Sequence, residues 1–271
     1  MNGVKEIFDP LESVKENVLE LIKLMNRSKH IIAFTGAGIS TSAGIPDYRG
    51  PNGVWTCRDQ GRPLPKVDKP WNLLKPTYTH MSLVRLVQEG RIHHVISQNI
   101  DGLHLHSGLP FDKLSELHGN LNIEVCKKCG EKYFRPFNVI EESTSKHNHL
   151  TGRYCDTCNG ELYDTIIRFG ESLNKTVLDR AFDLAYKSDL AIVLGSSLAV
   201  HPACQLPLIP KQENRGKLVI CNLQRTKKDT FASVLIRAKT DTIFKILMEE
   251  LKMEVKDFNQ VLHENNMKNN N

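Results

Sequence analysis

The chain has 271 residues, 40% hydrophobic and 25% charged, enough for one large α/β domain or such a domain with a small satellite. Its formal charge is +5 without a run of five basic residues, so nothing in the charge pattern marks a nucleic-acid protein. No stretch reaches the length of a membrane span, and the charged first twenty residues lack a signal-peptide core, so the expectation is an intracellular chain whose seven cysteines are reduced.

In chain order, residues 1–29 read as an N-terminal helical segment. Val14, Val18, Leu21, Ile22, Leu24 and Met25 recur at helical spacing over 11–27. His30 to Phe34 is a continuous apolar run that ends at glycine, the pattern of a strand buried on both faces. Similar runs recur at His93–Ser97, Asp189–Gly195 and Lys217–Asn222, with helical patterns at 79–90 and 176–188. The expected fold class is α/β: a Rossmann-like parallel sheet with helices on both faces and a small zinc-binding lobe inserted in it. The large domain is discontinuous, over 30–121 and 164–256. The inserted lobe covers 122–163, and the asparagine-rich 257–271 is a disordered tail. Ligands of such sheets bind beyond the carboxyl ends of the strands, which here carry Gly, Ser, Asn, Gln and Asp.

The lobe holds two C-x-x-C pairs, Cys126/Cys129 and Cys155/Cys158, separated by 25 residues. Two such knuckles supply four thiolates for one tetrahedral zinc ion, and four protein ligands leave no position for water, so the metal is structural. Redox pairs are the alternative. Lys127, Lys128, Lys132, Arg135 and Arg153 either balance the thiolate charge or contact nucleic acid.

Gly36, Ala37 and Gly38 follow the first strand as in a phosphate-binding turn, with backbone N–H groups and a helix N-terminus expected to face a pyrophosphate. The third fingerprint position is Thr41, and a plain strand–helix turn capped by Ser40, Thr41 or Ser42 explains the glycines equally well. "GIPDYRG" then adds Asp47 and Arg49. "SQNIDGLH" adds Gln98, Asn99 and Asp101, and "ELHGN" adds His118. If the sheet order joins these strand ends, His118 lies in a polar crevice beside a dinucleotide.

Taken together, "GAGIST", "AGIPDYRGPNGVW", "SQNIDGLH", "LHGN", the paired knuckles, "GSSL" and "ICNLQ" resemble a sirtuin over about residues 30–250. "RGPNGVWT", the stretch leading to "PTYTHMSLV", and "NLQRTKKD" are similar to the class IV branch, whose members are often nuclear and chromatin-linked. The resemblance implies an NAD-dependent protein lysine deacylase that releases nicotinamide and O-acyl-ADP-ribose. It implies a structural zinc ion and an acyl-lysine protein as partner, a histone being one example, with no membrane role. Carried over by residue, Ala37, Thr41, Tyr48, Arg49 and Trp55 contact NAD from the first loop. Gln98 and Asn99 hold the ribose next to nicotinamide, and Ile45, Asp47, Ile100 and Asp101 form the nicotinamide pocket. Gly195, Ser196, Asn222 and Gln224 bind the adenosine end, and His118 is the catalytic base, assisted by Asn99. Two departures stand out. "RFGES" retains a Phe-Gly-Glu common in other branches, and "IRAKTDT" lacks the usual aromatic or glycine near the adenine contact at Thr240. A protein mono-ADP-ribosyltransferase would use the same nicotinamide cleavage with another nucleophile. An NAD-sensing chromatin-binding adaptor would show salt-dependent DNA binding without nicotinamide release.

Overall fold

The computed structural model describes residues 5–67, 69–143, 148–213 and 215–261. The first element, α1 (Leu11–Arg27), turns Val14, Val18, Leu21 and Met25 inward at intervals of four, three and four residues, as the sequence spacing requires. It ends at Ser28, whose hydroxyl donates back to Leu24 O at 2.9 Å. Next come β1 (Ile31–Thr35), α2 (Val54–Asp59), α3 (Tyr78–Gln88), β2 (His94–Ser97), α4 (Leu103–His106) and β3 (Leu114–Glu116). The small lobe follows as β4 (Ile123–Cys126), β5 (Lys132–Phe134), β6 (Leu150–Tyr154) and β7 (Glu161–Asp164). The chain then returns through α5 (Lys175–Lys187), β8 (Leu190–Leu194), α6 (Ile209–Glu213), β9 (Lys217–Cys221), β10 (Val234–Ile236) and α7 (Thr240–Glu250).

The large sheet has the order β10-β9-β8-β1-β2-β3 and every pairing in it is parallel. Alternate residues of each strand feed two separate cores. Ile31, Ala33, Leu190, Ile192, Leu194 and Val219 pack under α1, α3 and α7, whereas Ile32, Phe34, Ala191, Val193, Leu218 and Ile220 pack under α5 and α6. This two-faced burial explains why the strands read as unbroken apolar runs. The chain runs outward from β1 to β2 and β3, then returns to the other side of β1 as β8. The order therefore reverses between β1 and β8, where α/β sheets bind ligands.

The small lobe is an antiparallel sheet, β5-β4-β7-β6. Its apolar cluster contains Leu162 with Cys126 and Cys155, backed by Tyr133 and Cys158. Glu124 on β4 is fully buried and is gripped by Arg135 Nε at 2.7 Å and Arg153 Nε at 2.8 Å. Those two arginines therefore compensate a buried carboxylate. Of the lysines, Lys127 caps the Tyr163 ring, Lys132 faces Phe111, and Lys128 donates to Cys158 O. Within the segment read as a disordered tail, residues 258–261 form a helical turn, and 262–271 lie outside the described residues. No helix among the described residues is long and apolar enough to cross a membrane.

Candidate active site

The carboxyl ends of β1 and β8 meet at the switch point. Gly36 N donates to Leu194 O and Gly38 N to Gly195 O, both at 2.9 Å. The two loops touch backbone to backbone: a methyl at Gly38 would lie 2.6 Å from Gly195 Cα. Gly38→Ala is therefore expected to destabilise the fold by about 1–3 kcal/mol, as overpacking does. A lower urea midpoint with unchanged slope measures it, and an unchanged midpoint would show that the loops separate freely.

The helix N-terminus expected after this turn is absent. Two short 3₁₀ turns, Ala37–Ile39 and Thr41–Ala43, stand in its place, and the first α-helix after β1 is α2. Gly44 takes a left-handed φ of 93°, and Pro46 bars Ile45 from helical geometry, so the turn cannot propagate. Of the three hydroxyls expected to cap it, Ser40 donates to Asp101 at 2.7 Å, Thr41 to Gly38 O at 3.2 Å and Ser42 to Asp241 at 2.6 Å.

A cleft of about 730 Å³ opens over the switch point. Gly36, Ala37, Gly38, Thr41, Asp47, Tyr48 and Arg49 line it from the first loop, Trp55 from α2, and Gln98, Asn99, Ile100 and His118 from the segments that follow β2 and β3. Gly195, Ser196, Asn222, Gln224 and Thr240 line the far wall. Two of the expected contacts, Ile45 and Asp101, are not on its surface. Asp101 sits one layer behind, accepting from Ser40 Oγ at 2.7 Å and from Leu103 N at 2.9 Å. Burial raises its pKa, and those two hydrogen bonds oppose the rise. Asp47 reaches the lining with its carboxylate on Gly50 N at 2.9 Å, and burial raises its pKa too.

His118 follows β3. Its Nδ1 lies 2.9 Å from Gln98 O. A carbonyl only accepts, so Nδ1 carries the proton and Nε2 keeps its lone pair. Burial lowers the His118 pKa against the opposing Gln98 bond, so the ring is neutral at pH 7. Asn99, 8% exposed, donates to Gly36 O at 3.2 Å and Ser40 Oγ at 3.3 Å, which fixes its amide beside the first loop. Gln98 Nε2 donates to Ser196 Oγ at 2.7 Å across the crevice. Of the other histidines, His201 also lines the cleft, whereas His94 pairs with Ser115 and His104 with Thr35, and burial holds His94 down to about 3.

Sequence reasoning missed two supports of this wall. Arg237, 7% exposed, donates to Asn222 O at 2.8 Å and Gln224 O at 2.7 Å, holding the loop after β9. Asp241, in the first turn of α7, accepts from Ser42 Oγ at 2.6 Å and from Thr79 N at 2.9 Å, fastening the first loop to two helices. The one signal for Asp241 was an acidic residue at a helix start; Arg237 left none.

In the small lobe the four expected cysteine sulfurs all lie within 4.8 Å of one another. Cys126 Sγ–Cys158 Sγ and Cys129 Sγ–Cys155 Sγ are each 3.5 Å apart. Ligands about 2.3 Å from a tetrahedral zinc stand about 3.8 Å apart, so the donor set and its spacing fit that ion. The residue after each knuckle turns the chain back with a left-handed φ, Gly130 at 82° and Asn159 at 54°. Gly160 serves a different need, because a methyl there would lie 2.9 Å from Cys126 Sγ.

Fold and site together define a doubly wound α/β protein with a cleft at its switch point and, beside it, a small lobe whose four clustered cysteines could hold a metal ion. The Sir2 family model matches residues 66–202. NAD-dependent protein deacetylase SRT1 of Arabidopsis thaliana is 44% identical over 255 residues, which cover 93% of this chain and 53% of the relative. NAD-dependent protein deacetylase sirtuin-7 of Mus musculus is 44% identical over 264 residues, covering 94% and 65%. An NAD-dependent protein deacetylase of Caldivirga maquilingensis is 35% identical over 246 residues, covering 84% and 91%. Among solved structures, a Sir2–p53 peptide–NAD+ complex superposes with a TM-score of 0.68 at 36% identity, covering 86% of this chain and 98% of that one. The chain belongs to the Sir2 family. It spans between about half and two thirds of the length of the first of these curated relatives.

Proposed function

We propose that the chain removes acyl groups from protein lysine side chains with consumption of NAD. The observation that carries this reading is the His118 imidazole, set in one tautomer by Gln98 O and lining a dinucleotide-sized cleft at the strand-order reversal. The 3₁₀ turn with Arg49, Tyr48 and Trp55 on one side, and Gly195, Ser196, Asn222, Gln224 and Thr240 on the other, would hold NAD. Bound there, NAD supplies a ribose carbon from which nicotinamide leaves as a neutral molecule. Asn99, its amide already oriented by Gly36 O and Ser40, offers a fixed dipole that does not itself attack. Asp47 and Ile100 wall the end assigned to nicotinamide, and Asp101 holds Ser40 from behind. The Nε2 lone pair of His118 accepts a proton from the ribose hydroxyl at neutral pH, in the role of general base. An acyl-lysine peptide lies extended between the lobes, adding backbone hydrogen bonds as a strand does. The zinc ion supplies the fold of one wall and takes no part in the reaction.

The resemblance to the class IV branch and the likeness to sirtuin-7 extend the proposal to nuclear, chromatin-associated substrates such as histones. The test is incubation of the zinc-loaded chain with NAD and acetyl-, succinyl- or myristoyl-lysine peptides. Nicotinamide release stoichiometric with acyl loss is the expected result. Its absence with every peptide would overturn the reading, and transfer of ADP-ribose to protein without acyl loss would favour the transferase.

A further inference from the structure

One cluster outside the proposed chemistry joins the small lobe to the cleft. His149, at the entrance to β6, lies between two carboxylates: Nδ1 is 2.8 Å from Asp164 Oδ1 and Nε2 is 2.8 Å from Glu171 Oε1. Its backbone adopts a φ of 65°, an uncommon conformation for a residue with a side chain, and its carbonyl accepts from Asp164 N at 2.8 Å. Glu171 in turn accepts from Arg168 N through Oε2 at 2.7 Å, closing the turn 168–171. That turn lines the cleft, and its Phe169 is 77% exposed with its edge against Trp55.

We propose that His149 is a positioning residue for the acyl-lysine peptide: as an imidazolium between Asp164 and Glu171 it fixes the 168–171 turn against the cleft, and on losing its proton it releases Glu171. The inference rests on the deacylase reading for its kinetic consequence. A neutral imidazole has one donor and one acceptor, so only the charged ring satisfies two carboxylate oxygens. The Asp164 bond raises the His149 pKa from its ordinary 6.5; burial opposes that rise, and the Glu171 bond, a smaller effect than either, adds to it. Among the described residues the charged groups facing the ring are Asp164 from β7, Glu171 from the turn, and Arg168, which shares a cavity of about 140 Å³ with it. Val139, Ile140 and Ser143 face that cavity without charge. When the ring becomes neutral the remaining proton stays on Nδ1, because the Asp164 side chain is 5% exposed and Glu171 is 38% exposed. The Nε2 lone pair then confronts Glu171. Because the folded-state pKa is raised, the fixed turn persists below the ordinary pKa and is lost as pH rises through the raised one.

The test measures kcat and peptide KM at saturating NAD from about pH 6 to 9 for the zinc-loaded chain, His149→Gln and Glu171→Gln. Wild-type KM is expected to rise about two- to fivefold with pH, the scale of a partly exposed ion pair. Both variants should hold the high-pH KM throughout, with kcat profiles that match the wild type. Parallel KM profiles in wild type and His149→Gln would overturn the inference. A second readout needs no turnover: in NMR titrations the Gly170 amide should follow the midpoint of the His149 ring, and Glu171→Gln should lower that midpoint. A Gly170 signal that ignores the titration overturns the proposal even if the chain proves inactive. Failure of nicotinamide release in every protein would strike the deacylase reading alone.

Discussion

Replacing His118 by alanine is expected to lower kcat by about 10²–10⁴, the usual contribution of a positioned general base. The ring's one described hydrogen bond goes to a backbone carbonyl, Gln98 O, so its removal costs the fold about 1 kcal/mol and leaves the cleft walls in place. NAD affinity, measured by calorimetry, should therefore change little while turnover collapses. The pH profile gives an independent check. Burial favours the neutral ring, so the proton-accepting form survives below the ordinary pKa of 6.5 and the acid limb of kcat/KM should fall below that value. An alanine variant with turnover within a few-fold of wild type would remove His118 from the reaction.

Stripping the metal, by chelation or by Cys155→Ser, is expected to unfold the small lobe. Structural zinc supplies an apparent folding energy of about 10–16 kcal/mol in model peptides, and little else in this lobe could replace it. Its apolar cluster holds Leu162 and Tyr133 besides the cysteines themselves. Without the metal, the buried Glu124 and its two arginines would be left in a lobe without a centre. Nicotinamide release should then fail, because β7 leads directly into the segment 166–171 that lines the cleft. Hydrogen exchange resolved by segment is the measurement. Protection should vanish across β4–β7 and persist in β1, β8 and β9, whose residues fill two independent cores. Unchanged protection in β4–β7 after complete zinc loss would refute a structural role for the ion.

The strands β1, β2, β8 and β9 were legible because burial on both faces leaves unbroken apolar runs, and α1 because one face is apolar at helical spacing. The knuckles were legible because metal ligation fixes local spacing. The turn after Gly38 misled, since its glycines mimic a fingerprint while Pro46, three residues past the second 3₁₀ turn, forbids the helix that fingerprint requires. Arg135 and Arg153 resisted reading because their partner, Glu124, is brought to them by strand pairing across the lobe. Arg237, Asp241 and His149 belong to the same class. Each acts through partners from other elements, and no local period or spacing records such contacts.

The two connections between the large and small sheets leave side by side. Thr165 Oγ1 accepts from Asn120 N at 3.0 Å and donates to Asn120 O at 3.1 Å, and Ile167 N donates to His118 O at 3.0 Å. Any swing of the small sheet thus has its fulcrum within two residues of the imidazole. A lever pivoted there cannot widen the entrance between the lobes without also tilting the ring at its base. Under the deacylase reading, admission of a lysine side chain and readiness to take a proton would be geared to one another.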